Sequence, residues 1–498
     1  MTRTKSFDLV VVGGGSGGFA AALTAARSGL KVLIVERGEM LGGTATQGGV
    51  NCWEVGVGGT GIPFDLYRRM RRDYPQAIGI YSFGRHFSWQ DGWYWPHQLD
   101  KVNFPGGEML IDRERRYLDT LRRHPPGGLR PSQDWAREHW HGVSFLPEAM
   151  AACQRAMLAE TGRVEVRLNT VFTDVVAAEG LVRRVALSDG DTVEARFWID
   201  AAGGAFSDAL GCETLCGGDP RARFNEPHAQ EKASEAVNAV TLIYKVMPGF
   251  AEAVEALPKD IEPRCWWSSH FPAMSCVEYP DRGRDCNMLP TMEGREMLAL
   301  GYAAAYAECM RRLKAHWHFV QTHWPEFRTY RMTWIAPMLG IRESRRVLCE
   351  KMLTENDILT GLSGQCDPDI VAIADHALDR HGEGGGCPEL AQPYGVPYRC
   401  LIPKGWRNLL VACRAAGFSS IAASSCRLTR TMMQIGQAAG TAAAIAAEHN
   451  LELPDLPTEP LRQRLRAQYV ELEWPRPMEL SAHLENENPS TTERKTTR

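Results

Sequence analysis

Asp8-Leu-Val-Val-Val12, the glycine run Gly13-Gly14-Gly15-Ser16-Gly17-Gly18, an alanine-rich segment and then Lys31-Val-Leu-Ile-Val-Glu36 decide how this chain folds. The apolar run ahead of the glycines suits a strand buried on both faces, as in a parallel sheet. Gly13, Gly15 and Gly18 stand at G-x-G-x-x-G spacing. One glycine makes the tight turn, one lets backbone N–H groups approach a pyrophosphate, and one lets helix and strand pack closely. Unpaired N–H groups and the positive dipole end of the following helix converge at Ser16, which favours an anion there. Ala20, Ala21, Ala22, Ala25 and Ala26 keep that helix slim, and Gly29 can end it in the left-handed conformation. Glu36 closes the second strand, where a carboxylate can accept both hydroxyls of a ribose. Strand, helix, second strand and acid in register indicate a dinucleotide site.

The chain then runs without pause through Glu39-Met-Leu-Gly-Gly-Thr-Ala-Thr-Gln-Gly-Gly49. A nicotinamide dehydrogenase would proceed to its next helix, whereas a long glycine-rich loop suits a flavin lying against backbone. These residues resemble the two-dinucleotide-binding-domain flavoproteins of the glutathione reductase type. Among them the chain is most similar to the bacterial FAD-dependent oxidoreductase family related to heterodisulfide reductase flavoprotein subunits. The resemblance implies FAD as cofactor, with Arg37, Gly42, Gly43, Thr44, Gly48 and Gly49 joining the fingerprint residues around it.

Two further stretches carry the same resemblance. Phe197-Trp-Ile-Asp-Ala-Ala-Gly-Gly204 is similar to the turn that brings such chains back against FAD, with Ala202 where a threonine is usual. Ala201, Ala202 and Gly203 keep the small side chains that close approach requires. Asn408-Leu-Leu-Val-Ala-Cys-Arg-Ala-Ala-Gly417 is followed by a small-residue helix beginning around Arg427 to Thr431. In the resembled families that helix points its N-terminus at the flavin pyrimidine, which implicates Arg414 and Thr431. Gly436 and Gly440 are expected to let it pack on the fingerprint region. Aromatic hydroxylases carry a Gly-Asp pair where Arg414 follows Cys413, so that subclass is disfavoured.

The implied fold is α/β: a Rossmann-like FAD-binding domain of the glutathione reductase type with an inserted α+β substrate domain. Residues 1–75, 146–215 and 396–450 are assigned to the FAD domain. Residues 76–145 form a Trp/His-rich insertion and 216–395 a substrate domain. A C-terminal helix follows in 451–480, and 481–498 lack the apolar side chains to fold. Within the substrate region a strand is expected over Asn238–Val246 and a helix over Met297–Trp317, while Gly382 and Gly384–Gly386 form a loop.

The 498 residues carry a net charge of -4, which offers no electrostatic case for nucleic acid. A fingerprint strand beginning at residue 8 leaves no room for a secretory signal, and no apolar run approaches a membrane span. A cytoplasmic protein acting on a small molecule is expected, with homo-oligomerisation left open. Fourteen cysteines include no C-x-x-C pair, so no metal is expected.

Candidate catalytic groups lie in the substrate region. Arg342, Arg345 and Arg346 could hold a substrate carboxylate or the electron-rich edge of a flavin, or form an ion-pair cluster with Glu343 and Glu350. Asp375-His376 and Asp379-x-His381 offer general bases, since a histidine near pKa 6.5 accepts a proton at cell pH. If Ala372–Arg380 is helical, spacing implies no Asp–His dyad. Hydride transfer from a small organic substrate to flavin N5 follows as the expected reaction, with reoxidation by oxygen or another acceptor. A flavin monooxygenase and an electron-relay subunit are the alternatives.

Overall fold

The computed structural model describes residues 4–54, 56–82, 142–267, 273–279, 281–381, 388 and 390–487. Its fingerprint strand, Thr4–Val12, lies in a seven-stranded sheet. Five strands run parallel in the order Val164–Arg167, Val32–Val35, Thr4–Val12, Thr192–Asp200 and Leu409–Val411. The antiparallel hairpin Phe172–Ala178 and Leu181–Leu187 attaches to the start of Thr192–Asp200, whose end pairs with Leu409–Val411. This is a mixed α/β architecture with a Rossmann-like parallel core.

Register places Val12 opposite both Val35 and Asp200, and Val411 opposite Asp200. Four strands therefore end level, and Gly13, Glu36, Ala201 and Ala412 follow at one carboxyl edge, where ligands of such sheets bind. Helix Ser16–Arg27 packs against helix Thr429–His449 with almost no side chain between them. A Cβ at Gly436 would overlap the Gly17 carbonyl, and one at Gly440 the Ala21 carbonyl. The expected close packing of these glycines is observed.

A second seven-stranded sheet is antiparallel throughout. Its order is Arg331–Ile335, Ile243–Met247, Arg284–Leu289, Ala273–Glu278, Ile78–Ser82, Gly142–Phe145 and Cys52–Glu54. Strand alternation sorts its faces. Tyr244, Val246, Met274, Cys276, Cys286 and Met288 are buried with Cys309, Leu313, Trp317 and Val320 of helix Tyr302–His323. Ile243, Val277, Asp285 and Asn287 face the cavity described below.

Several sequence expectations are corrected. The helix over Met297–Trp317 is two, Gly294–Leu300 and Tyr302–His323, broken at Gly301 with φ +74°. The strand over Asn238–Val246 begins only at Ile243 and runs to Met247. Ala372–Arg380 is not helical: Ile370–Ala374 is a fully buried strand paired with Tyr394–Pro397. The C-terminal tail stays helical over Met478–Glu487, because Leu480 and Leu484 find buried positions. Most of the Trp/His-rich insertion, 83–141, lies outside the described residues, as do Gly382 and Gly384–Gly386. Among the described residues no helix is long and apolar enough to cross a membrane.

Candidate active site

A cavity of about 640 Å³ opens at the carboxyl edge of the parallel sheet and extends along the inner face of the antiparallel one. At its first end Gly13 adopts φ +104°, and a Cβ there would lie 2.5 Å from the Ala201 carbonyl. A Cβ at Gly18 would overlap the Gly13 carbonyl oxygen. Turn and close approach are thus separate duties of separate glycines, as the spacing predicts. The next helix starts at Ser16 with no side-chain cap on Gly15, so its first N–H groups are left for a ligand.

Glu36 lines the same end. Its Oε2 accepts from Gly14 N–H and its Oε1 from Gly38 N–H, each at 2.7 Å. Each carboxylate oxygen keeps a further lone pair for a ribose hydroxyl. Gly42 N–H donates to the Gly14 carbonyl at 2.8 Å, stacking the second glycine loop on the first. Gly43 and Thr44 then reach the cavity, as does Arg37.

Asp200 organises the return turn. Fully buried, it accepts from Ala202 N–H, Ser207 N–H and Ser207 Oγ–H at 2.7–2.8 Å. Burial raises its pKa and these donors oppose the rise. The turn they hold presents Ala201, Ala202 and Gly203 to the cavity, with Gly203 at φ +71°.

Guanidinium groups dominate the middle. Arg342, Arg414, Arg427 and Arg430 all line the cavity. Arg414 Nε, Arg427 Nη1, and Arg430 Nε and Nη2 are buried with no hydrogen-bond partner among the described residues. Arg430 also donates to Val57 O at 2.8 Å and stands 3.6 Å from Asp375. Helix Thr429–His449 begins beside them, again without a side-chain cap. Arg342 donates to Ala239 O at 2.8 Å. Burial, with the like charge of Arg427, pushes its pKa down to about 10.

Asp379 and His381 do form a dyad, at 2.7 Å between Oδ2 and Nε2. The chain after Ala374 is irregular, which lets side chains two apart converge. Arg427 donates to the same Asp379 oxygen at 3.0 Å. Burial disfavours the Asp379 anion, but His381 and Arg427 overcome it and hold the carboxyl far below its usual range. Burial, then the Arg342 charge, lowers His381 against the opposing pull of Asp379. The imidazole is therefore neutral at pH 7, its Nε2–H given to Asp379 and its lone pair on Nδ1. His376 also lines the cavity, with Nδ1 2.8 Å from Ala377 O.

Other expected site residues fall elsewhere. Arg345 is exposed and pairs with Asp208 at 3.4 Å, away from the cavity. Arg346 is buried between Glu343 at 2.7 Å and Asp219 at 3.0 Å, a structural pairing. Thr431 is buried as the third residue of the helix, and Thr429 takes the cavity position. Gly42, Gly48 and Gly49 shape the loop without lining the space. The reading missed Asp200, Arg427, Arg430 and Asp285 as site residues, although Arg427 and Arg430 flank a helix start it had located.

The donor set fits a flavin dinucleotide: an uncapped helix start, a ribose-ready acid, closely packed glycines and unpaired guanidinium donors. A profile for FAD dependent oxidoreductase proteins matches residues 8–465. The chain belongs to this family. FAD is accordingly the cofactor of this flavoprotein. The 3-oxosteroid 1-dehydrogenase of Mycobacterium tuberculosis (strain ATCC 25618 / H37Rv) is 26% identical over 259 residues, covering 38% of this chain and 44% of that enzyme. The 3-oxosteroid 1-dehydrogenase of Mycolicibacterium smegmatis is 28% identical over 256 residues, covering 39% and 44%. The flavoprotein thus matches less than half the length of these curated relatives. A geranylgeranyl bacteriochlorophyll reductase-like structure from Thermoplasma acidophilum aligns at a TM-score of 0.43 with 12% identity, covering 99% of this chain and 98% of that one.

Proposed function

We propose that this flavoprotein oxidises a small organic substrate, removing a hydride from carbon while His381 takes a proton from the attached hydroxyl or amine. FAD, when bound, supplies the hydride acceptor at N5. The observation that carries the reading is the Arg427–Asp379–His381 chain lining the same cavity as the dinucleotide fingerprint. Asp379 fixes the tautomer and stabilises the imidazolium formed on Nδ1. Arg342 and Arg414 are placed to oppose negative charge that develops beside them. The names of both mycobacterial relatives, each a dehydrogenase, support dehydrogenation over oxygen insertion. With no second strand-linked fingerprint in the sequence, the reading includes reoxidation by oxygen or another acceptor.

On this proposal residues 1–75, 146–215 and 396–450 make an FAD unit of the glutathione reductase type, and 216–395 supply the substrate side. The five parallel strands support the first part; four of the seven antiparallel strands lie in 216–395, with Ile78–Ser82 and Gly142–Phe145 added from the insertion and Cys52–Glu54 from the first FAD segment. The test is anaerobic stopped-flow reduction of the FAD-loaded protein by a panel of alcohols, amines and ketosteroids. His381→Ala is expected to slow reduction by about 10²–10⁴-fold with FAD content unchanged, the usual worth of a positioned base. An unchanged rate removes His381 from the chemistry.

A further inference from the structure

Strand Arg284–Leu289 turns two polar residues toward the cavity, Asp285 and Asn287, while Cys286 and Met288 enter the core on its other face. Asp285 is only 3% exposed. Its Oδ2 accepts from Tyr279 Oη and from Asn51 Nδ2, each at 2.5 Å. Tyr279 is itself joined to Asn51 and lies 2.9 Å from Phe145 O, so residues at or just beyond the ends of three strands hold this carboxylate in place. Asp285 Oδ1 and Asn287 Oδ1 are buried with no partner among the described residues. Buried acceptors are normally satisfied, and two neighbours left open on one cavity wall mark a place for a donor.

The surroundings define the donor. Ile243 and Val277, the register partners of Asn287 and Asp285, flank the two oxygens with apolar side chains, and Trp53, whose Nε1 is also buried without a partner among the described residues, lines the same cavity. Arg342 Nη1 stands 3.3 Å from Thr241 Oγ1, whereas Asp285 is the register partner of Lys245. At ~3.3 Å per residue, Thr241 and Lys245 are roughly 13 Å apart. Asn287, the register partner of Ile243, lies between them, and only Asp285 reaches the far end of the sheet face from the Arg342 guanidinium. Burial pushes the Asp285 carboxyl up to about 7; Lys245 and Tyr279 oppose the rise, and Glu148 and Asp281 add to it.

We infer that Asp285 and Asn287 form a substrate subsite for a hydrogen-bond donor, a hydroxyl or a protonated amine, carried on an apolar body, with Asp285 the member of the pair farther along the sheet from Arg342. The inference deepens the proposed oxidation by naming what the substrate's second end carries, and it rests on that reading for calling the ligand a substrate.

The experiment is anaerobic calorimetric titration of the FAD-loaded full chain with its flavin reduced beforehand, so that no turnover occurs, using cyclohexanol, cyclohexylamine and methoxycyclohexane. The alcohol or the amine is expected to bind about tenfold or more tighter than the ether, the worth of one good hydrogen bond. Whichever of the two binds identifies the donor as hydroxyl or ammonium. Asp285→Asn is expected to weaken the amine about tenfold, with FAD content and melting temperature retained. Asn287→Ala serves as a second variant should Asp285→Asn lose FAD, and is expected to lower alcohol or amine binding. Equal binding of all three probes, absence of binding by both donors, or unchanged donor affinity in both variants overturns the subsite. The rate of flavin reduction in His381→Ala reports on the base and the probe affinities of Asp285→Asn and Asn287→Ala on the subsite, so failure of the proposed base and failure of the subsite are read separately.

Discussion

The two ends of the cavity are built from different material. The dinucleotide end is made of backbone: glycines at 13, 17, 18, 436 and 440 admit carbonyls where a Cβ would collide, and the ligand-facing groups are largely N–H donors. The other end is made of side chains: Asp285 and Asn287 on the antiparallel face, and His381, Asp379 and Arg342 on irregular backbone beside it. The first kind of site depends on the absence of atoms. The second depends on single functional groups held by partners far apart in sequence, such as Asn51 with Asp285. Substitutions should therefore fail as loss of cofactor and fold at one end, and as loss of chemistry with cofactor retained at the other.

Gly17→Val tests the first half of that contrast most severely. Its Cβ would overlap the Ala412 carbonyl oxygen, and the expected outcome is protein without bound FAD, read from the absence of visible flavin absorbance. Normal flavin content would break the comparison. Next in size, Arg346→Met leaves Glu343 buried without its cation and Asp219 with only Arg223 at 3.9 Å. Breaking such a pairing costs about 3–5 kcal/mol, to be measured by denaturant unfolding of the FAD-loaded protein. A cost below ~1 kcal/mol would mean the cluster is dispensable.

The pH dependence sharpens the substrate end. His381 is held below its ordinary pKa, so it is neutral near pH 7 and becomes protonated only in more acidic solution. Flavin reduction should be level above pH 7 and fall as pH drops through the depressed value, about tenfold per unit below it. Asp379 raises the imidazole pKa, so Asp379→Asn should move the break to lower pH while slowing the rate. A break that stays in place assigns the titration to another group. The smallest effect returns to the glycines. Gly29 ends its helix at φ +97° with nothing within 4 Å of a Cβ. Gly29→Ala should cost only about 1–2 kcal/mol, the left-handed strain alone, with FAD binding intact. Together with Gly17→Val it separates glycine as conformation from glycine as space.

Much of the dinucleotide end was legible because its determinants are local. The run from Asp8 to Glu36 encodes one strand, one turn, one helix and the next strand in consecutive residues, although Gly13 and Gly17 also meet Ala201 and Ala412 from far along the chain. The small-residue helix after Arg427 was legible for the same reason, as its glycines and alanines leave few other uses. Asp200 lay in plain view within the second signature, but its bonds to Ala202 and Ser207 exist only once the turn has formed. Asp379 and His381 were singled out individually, and their pairing was missed because a helix was entertained where the chain is a strand followed by irregular backbone. Arg345 and Arg346 could not be distinguished from Arg342 by composition; burial and partner alone separate a surface pair, a structural cluster and a cavity cation.

The sequence by itself determined the Rossmann-like entry, the FAD site and the order of its three signatures, because glycine spacing and apolar runs act through short-range sterics and backbone hydrogen bonding. Only the tertiary structure decided which titratable groups share the cavity. Their protonation and pairing depend on desolvation and on charges brought from strands and loops hundreds of residues apart, as where Asn51, Tyr279 and Asp285 meet, and no local pattern records that distance.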